Sequence, residues 1–194
     1  MFKNSWNPFV YNSEQKLLVI GLVGFVFAAL LSSYNHVMLL GALKIVNTKS
    51  MLWYISLCNL GITLLANILV LYLFAILRFA KTRFIDVVNS VLIAHLAMYL
   101  LLLITVIPFV SDFLKSMEFL VLDHINNPTG ISVDKIGLML VFAFFSLACL
   151  IGFFSLLLKG MKIAMNSKVG GDTIAIVLLT LVLNTVLQFI NIYL

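Results

Sequence analysis

The side chains with which this chain could do acid–base, nucleophilic or metal chemistry are few and scattered. Its three histidines stand on separate segments, at His36, His95 and His124. Cys58 and Cys149 lie in apolar stretches and form no CxxC pair, which is typical of small buried hydrophobic residues. The sequence contains no Gly-rich phosphate loop, no HExxH and no GxSxG pattern. We therefore predict no catalytic residue, no metal site, no cofactor and no enzymatic activity.

Polar side chains within the apolar stretches are more informative, because a polar group that faces lipid lacks hydrogen-bond partners. Six of them are predicted to face the interior of a helix bundle: Asn59, Asn67, Asn89, His95, Asn184 and Gln188. Helical spacing supports this prediction in two stretches, in which polar residues recur every three or four positions: Asn59, Thr63 and Asn67, then Thr180, Asn184, Gln188 and Asn191. Two interpretations remain open. The side chains form hydrogen bonds between helices, worth about 0.6 kcal/mol each on average, or they line a polar cavity or permeation path.

Composition indicates what must position these residues. The chain has 194 residues, of which 63% are hydrophobic and 10% charged, and its mean hydropathy is +1.19. A soluble domain carries roughly 25% charged residues because its surface faces water, so the expected partner here is the lipid bilayer. The net charge of +5 comes from short basic runs between apolar stretches. That distribution is typical of membrane topology and argues against a nucleic-acid partner.

Five apolar stretches are long enough to cross about 30 Å of hydrocarbon, which takes roughly 20 residues. They are Lys16–Tyr34, Met51–Ile76, Phe84–Ile107, Ile136–Leu158 and Thr173–Leu194. Basic residues separate some of them, and Lys159, Lys162 and Lys168 are taken to divide the fourth from the fifth. We predict an all-α, polytopic membrane helix bundle, with about five transmembrane helices in a single domain over residues 1–194.

Two further segments are ambiguous at this level. The apolar run Val37–Val46 is too short to span a bilayer, so we predict an interfacial or re-entrant segment. Residues 109–125 are apolar with interspersed charges, which favours an amphipathic helix lying on the membrane or folding back on the bundle. Together with the turn residues that follow, this second segment is predicted to form an external region at 109–133.

Charge asymmetry predicts the orientation of the bundle. Eight lysine and arginine residues fall on the side of the N-terminus and four on the other side. By the positive-inside rule, residues 1–15 form a short cytoplasmic N-terminal segment and the C-terminus is external.

Small residues at four-residue spacing predict close helix packing, because they let helix backbones approach. They occur in the first stretch at Gly24, Ala28 and Ser32, and in the fourth at Ala148 and Gly152.

Four sequence segments resemble the Yip (Ypt-interacting protein) family of five-helix membrane proteins. They are NPF at 7–9, RFIDVVNSVL at 83–92, LLKGMKI at 157–163 and GDTIA at 171–175. The resemblance implies a non-enzymatic integral membrane protein that organises membrane or recruits partners, either a second copy or other membrane proteins. Eukaryotic members of the family bind prenylated Rab GTPases and have a long cytosolic segment before the first helix. The short segment here argues against Rab binding and resembles the prokaryotic branch, which implies a cytoplasmic (inner) membrane.

An alternative hypothesis is a small transporter, or the substrate-binding membrane subunit of one, with a polar intramembrane cavity. Such subunits have similar size and usually six helices. A sixth span formed by Val37–Val46 or by residues 109–125 would favour this alternative.

Overall fold

The computed structural model describes residues 7–48, 52–123 and 133–189. Predictions for residues 1–6, for the loop that includes His124, for Asn191 and for the end of the fifth stretch lie outside the described residues. Five helices are long and apolar enough to cross a membrane, so the prediction of an all-α bundle with five spans is confirmed. They are α2 (Glu14–Asn35), α3 (Trp53–Arg78), α4 (Phe84–Ile104), α6 (Val133–Ala164) and α7 (Gly170–Leu187). The chain is therefore an integral, multi-pass membrane protein.

Two shorter helices accompany the five spans. Helix α1 (Pro8–Tyr11) is a single turn that begins with proline, and the Asn7 side chain accepts a hydrogen bond from Phe9 N. Helix α5 (Pro108–Asp123) has 16 residues and lies between α4 and α6 along the chain. At 1.5 Å per residue it is about 24 Å long, which is short of the hydrocarbon thickness.

Helix α4 forms the centre of the bundle. Its residues 89–95 are all buried, so the helix is covered on every face in its middle. It makes its most extensive contacts with α6 and α2, while α3 also packs on α2 and on α7. Helices α2, α3 and α6 instead present rows of large exposed apolar residues, as lipid-facing helices do. The two ends of the bundle differ in charge. The end where α3 stops and α4 starts carries Arg78, Lys81 and Arg83, and we call it the basic end.

The opposite end contains a β-hairpin, and we call it the hairpin end. Strands β1 (Val37–Leu40) and β2 (Lys44–Asn47) pair antiparallel, with Val37 opposite Asn47 and Leu40 opposite Lys44. All four residues of β1 are at most 4% exposed. Because successive strand residues point to opposite faces, both faces of β1 are covered by the bundle. The segment predicted as interfacial or re-entrant is thus a β-hairpin packed against the bundle and not a sixth helix.

Helix α6 runs further than the sequence indicated. It has 32 residues, so Lys159 and Lys162, predicted to lie in a loop, are inside the helix. The physical reason is a buried row that continues past the apolar stretch: Cys149, Phe153, Leu157, Met161 and Met165. Ala148, expected on the packing face, lies one position beside this row and is exposed. Gly152 lies near α4, where a Cβ on it would be 3.5 Å from Ala97 Cβ.

Small residues bring α2 close to its neighbours. A Cβ built on Gly24 would collide with the end of the Leu96 side chain of α4. Ala28 is fully buried and packs in an apolar cluster with Val37 of the hairpin. A second close crossing on this helix is at Gly21, which the sequence analysis did not single out, where a Cβ would be 2.6 Å from Leu92 Cβ.

Candidate functional site

The base of the hairpin is fixed where α2 ends. His36 ends the helix in a left-handed conformation, with φ of 53°. Thr48 N donates to His36 O at 2.8 Å, which closes the hairpin. Ser32, one turn earlier on α2, donates from Oγ to Val37 O at 2.5 Å. The same small residue that permits close packing therefore also holds the first strand.

The tip of the hairpin is fixed by two amides from different helices. Ala42 N donates to Asn184 Oδ1 at 2.8 Å. Asn184 Nδ2 donates to Asn67 Oδ1 at 3.0 Å, and Asn67 Nδ2 lies 3.3 Å from Asn184 Oδ1. Gly41 has φ of +59°, and a Cβ on it would be 2.7 Å from the Asn184 carbonyl oxygen. Glycine is required at this turn for both its conformation and its close approach.

A third amide forms a hydrogen bond to the backbone on the side of the hairpin. Asn59 Nδ2 donates to Leu39 O at 2.7 Å. A buried strand edge leaves backbone groups without partners, and in lipid each such group costs several kcal/mol. Asn59, Asn184 and Ser32 therefore supply to the hairpin hydrogen bonds that water would supply in a soluble protein, and Asn67 holds Asn184 in place.

The hairpin reaches the middle of the bundle. Asn67, to which its tip is joined through Asn184, lies 14 residues after Trp53 and 11 residues before Arg78, the ends of α3. Asn59 is one and a half turns from the outer end of α3, and it contacts the hairpin between base and tip. The α3 side chain nearer the outer end of the helix thus bonds to the side of the hairpin, and the one nearer the middle is joined to its tip.

The other three predicted polar residues lie elsewhere. Asn89 donates to Glu14 O at 3.2 Å at the basic end. His95 Nδ1 lies 2.8 Å from Val91 O, and the ring makes an edge contact with Phe153 at a centroid distance of 5.2 Å. His95 Nε2 has no hydrogen-bond partner among the described atoms. Gln188 is half-buried at the end of α7. The structure thus brings Asn67 and Asn184 into contact and connects Asn59 to them through the hairpin.

A cavity of about 820 Å³ lies beside the hairpin, on the side away from these amides. Its walls come from β2, from the last turns of α4, from α5 and from the outer part of α6. Thirteen residues line it: Leu43, Lys44, Ile45, Val46, Asn47, Met98, Leu101, Leu114, Phe142, Ala143, Ser146, Leu147 and Leu150. Ten of these are apolar. The cavity is open, since Lys44 and Leu147 are both exposed.

Among the described residues, Lys44 is the one charged side chain in this lining. It is paired with Leu40 in the hairpin register and lies two residues from Ala42, which bonds to Asn184. In the described ranges, the ion pairs lie at the basic end and join Arg78 to Asp172 and Arg83 to Glu14 and Asp86. The sequence analysis counted Lys44 as a loop charge. The sequence feature that could have identified Lys44 as a candidate site residue is its position as the single charge in the apolar run Val37–Val46.

The described residues contain no group of three or more His, Cys, Asp or Glu side chains that could hold a metal ion. No family model, no curated protein and no solved structure matches the chain. The resemblance to the Yip family therefore stays a prediction. The physical features available for a functional proposal are the hairpin, the amides that hold it and the cavity at its side.

Proposed function

We propose that this protein is a non-enzymatic membrane protein that binds a small, largely apolar molecule in the cavity beside the hairpin, as the substrate-binding part of a transporter or receptor does. The observation that carries the proposal is the cavity itself. Its volume of about 820 Å³ falls in the range of roughly 300–1,000 Å³ that small-molecule sites occupy, and its mostly apolar lining with a few polar groups is typical of them.

The surroundings of the cavity support a binding site over a packing gap. Protein interiors are close-packed, and voids larger than a water molecule are few. Here one wall is a strand pair whose backbone is held by Asn59 and Asn184 from two helices. Such a wall keeps its shape when the space beside it is empty, and a preformed site costs less to occupy.

The predicted orientation places the cavity on the external side of the membrane, because the hairpin end is opposite the basic end. A reporter that is active only in the cytoplasm, fused after Leu194, is expected to give no signal, whereas the same reporter fused before Met1 gives a strong one. A strong signal from the C-terminal fusion would reverse the orientation and direct the cavity to the cytoplasm.

Photolabelling tests the proposed function directly. The protein is placed in lipid nanodiscs with a neutral fatty alcohol that carries a diazirine, and labelled peptides are mapped by mass spectrometry. Residues 142–150 should be labelled in a saturable way, and unlabelled fatty alcohol should compete. Ala143→Trp fills the cavity and should reduce this labelling about tenfold. Ala148→Trp is the matched control, because Ala148 is exposed on the same helix and lies outside the lining.

Labelling that does not saturate, or that is equal in the two tryptophan variants, would show contact with bulk lipid only and would contradict the proposal. The neutral probe is chosen so that the charge of Lys44 plays no part in this outcome.

A second candidate function is the membrane organisation or partner recruitment that the Yip resemblance implies. One observation favours it: Asn59 and Asn184 bond to the hairpin, Asn67 and Asn184 bond to each other, and none of the three lines the cavity. This candidate expects a complex with a second copy or with another membrane protein that persists in Ala143→Trp. Cross-linking in intact cells tests it, and loss of the complex in that variant would tie partner binding to the cavity instead.

A further inference from the structure

The position of Lys44 along the hairpin places its backbone near the middle of the bundle. It stands opposite Leu40 in the last pair before the turn, and the turn bonds to Asn184 and through it to Asn67. A charged lysine at the centre of a bilayer costs about 2.5–3.5 kcal/mol on insertion scales. Intramembrane charges therefore face a cavity, pair with another charge, or mark a pathway.

Among the residues whose side chains the structure describes, no carboxylate lines the cavity beside Lys44. The lining residues contributed by α4 and α5 are Met98, Leu101 and Leu114, and those contributed by α6 are apolar except for Ser146. Asp112 is exposed on α5 and does not line the cavity. Within the described part of the chain, the charge of Lys44 is thus left for water or for an anion that enters the cavity.

The shape of the lining separates a cationic end from an apolar wall. Lys44 lies at the deep end of β2, and Asn47 lies at its outer end, opposite Val37. The α6 wall opposite β2 presents Phe142, Leu147 and Leu150. A bound molecule would therefore meet one positive charge and a continuous apolar surface, and would be most stable with one anionic group and one apolar chain.

We propose that the cavity binds a single-chain amphiphile with one anionic head group, whose head pairs with the Lys44 ammonium group and whose chain lies along residues 142–150. This inference rests on the proposed function and adds the chemical class of the ligand. A carboxylate or a phosphate monoester would satisfy the same lysine, because a lysine recognises an anion as a point charge.

Matched diazirine probes test the proposal, with the same alkyl chain ending in a carboxylate, a phosphate monoester or an alcohol. In the unchanged protein, an anionic probe should half-saturate labelling of residues 142–150 at about one tenth of the concentration that the alcohol needs. Lys44→Met should abolish this preference, so that the anionic probes and the alcohol half-saturate labelling at similar concentrations. Lys44→Arg should retain the preference because it keeps the charge.

Lys115→Met is the control for the general charge of the same end, since Lys115 is exposed on α5 and lies outside the lining. Loss of the preference in this variant would assign it to surface charge and overturn the proposal. Equal labelling by anionic and neutral probes in the unchanged protein, a result that needs no variant, would overturn it and leave the proposed function standing. Absence of saturable labelling by every probe would overturn both. Competition by a two-chain phosphatidylglycerol as effective as that by the single-chain anion would refute the single-chain class.

Discussion

Helix α6 passes through two different environments at the two ends of the bundle. Towards the basic end, Phe153, Leu157 and Met161 are at most 1% exposed and fill the contact with α4. Towards the hairpin end, Val141 and Phe144 are 68% and 69% exposed. One continuous helix therefore holds the bundle together with one half and forms the wall of an open cavity with the other.

The basic end is also joined by ion pairs, which the described residues of the hairpin end do not form. Asp172, 3% exposed at the start of α7, accepts hydrogen bonds from Arg78 Nε at 3.2 Å and from Ser167 Oγ. Arg83 donates to Glu14 at 2.5 Å. At the hairpin end the corresponding contacts are made by amides to backbone. The difference teaches that charge pairs fix the helix termini, whereas amides fix a segment inside the membrane, where a charge would be costly.

The largest expected difference between the two halves of α6 concerns its phenylalanines. Phe153→Ala removes a fully buried ring that packs on His95 and Phe154, and we expect a loss of about 3–5 kcal/mol in the free energy of unfolding. Phe144→Ala should change it by no more than about 0.5 kcal/mol, because that ring is exposed. Unfolding by SDS in mixed micelles measures both. Equal losses would mean that the outer half also packs against protein.

The second prediction concerns the amide that connects the two regions. Asn184→Leu leaves the Ala42 N–H group and Asn67 Oδ1 without their partner, and each unsatisfied buried group costs about 1–3 kcal/mol. The same variant should lower saturable labelling of the cavity, because the hairpin wall loses its anchor. Thr185→Val is the control, since Thr185 is exposed and bonds only within its helix to Leu181 O. A variant as stable as this control would mean that water replaces the amide at the hairpin tip.

The third prediction compares two glycines of α6, at which we expect smaller changes in stability. A Cβ on Gly160 would be 2.5 Å from Ser90 Oγ and 2.6 Å from Ser90 Cβ, so Gly160→Ala should cost about 1–3 kcal/mol through overpacking. A Cβ on Gly137 would meet no described atom within 4 Å, and Gly137→Ala should stabilise the helix by about 0.5–1 kcal/mol. Melting temperatures in detergent should move in opposite directions. If both variants lose stability, the outer half of α6 is packed more closely than its exposure indicates.

The smallest effect is expected at Arg83. Its hydrogen bond to Glu14, together with the charges of Asp86 and Glu14, raises the pKa of Arg83, although the side chain is fully exposed. Exposed ion pairs contribute little and are screened by salt. Arg83→Gln should lower the melting temperature slightly at low salt and leave it unchanged at about 1 M NaCl, where the screening length is about 3 Å. A loss that persists at high salt would indicate a structural role for this side chain beyond its charge.

The sequence was sufficient for the five spans because an apolar stretch of about 20 residues has few alternatives to a membrane helix. It was insufficient for the hairpin. A short apolar run with β-branched residues fits a strand or a buried helical segment equally well. What selects the strand pair here is an acceptor on Asn184, 142 residues away along the chain from Ala42, and a single sequence does not show which distant residues meet.

The polar residues show the same limit of prediction from a single sequence. Spacing predicted that amides at Asn67 and Asn184 face inward, and both are at most 1% exposed. It could not distinguish them from His95, whose Nδ1 bonds to a carbonyl of its own helix and whose side chain makes no described hydrogen bond to another helix. The four-residue spacing of small residues was likewise insufficient to predict the packing face of α6 at Ala148. Large side chains such as Phe153 and Met161 determine which face of α6 meets α4.

The bond between Ala42 and Asn184 has a consequence for biosynthesis. The ribosome delivers the hairpin near the start of translation and α7 near its end, so the Ala42 amide must wait for most of the chain before its acceptor exists. Until then, the side-chain hydrogen bonds described for the hairpin that can form with other helices are those of Ser32 in α2 and Asn59 in α3. We expect the strand pair to stay near the aqueous surface during insertion, with its tip hydrated. We expect it to move into the bundle when the last helix enters. The hairpin is thus synthesised early and fixed in place late.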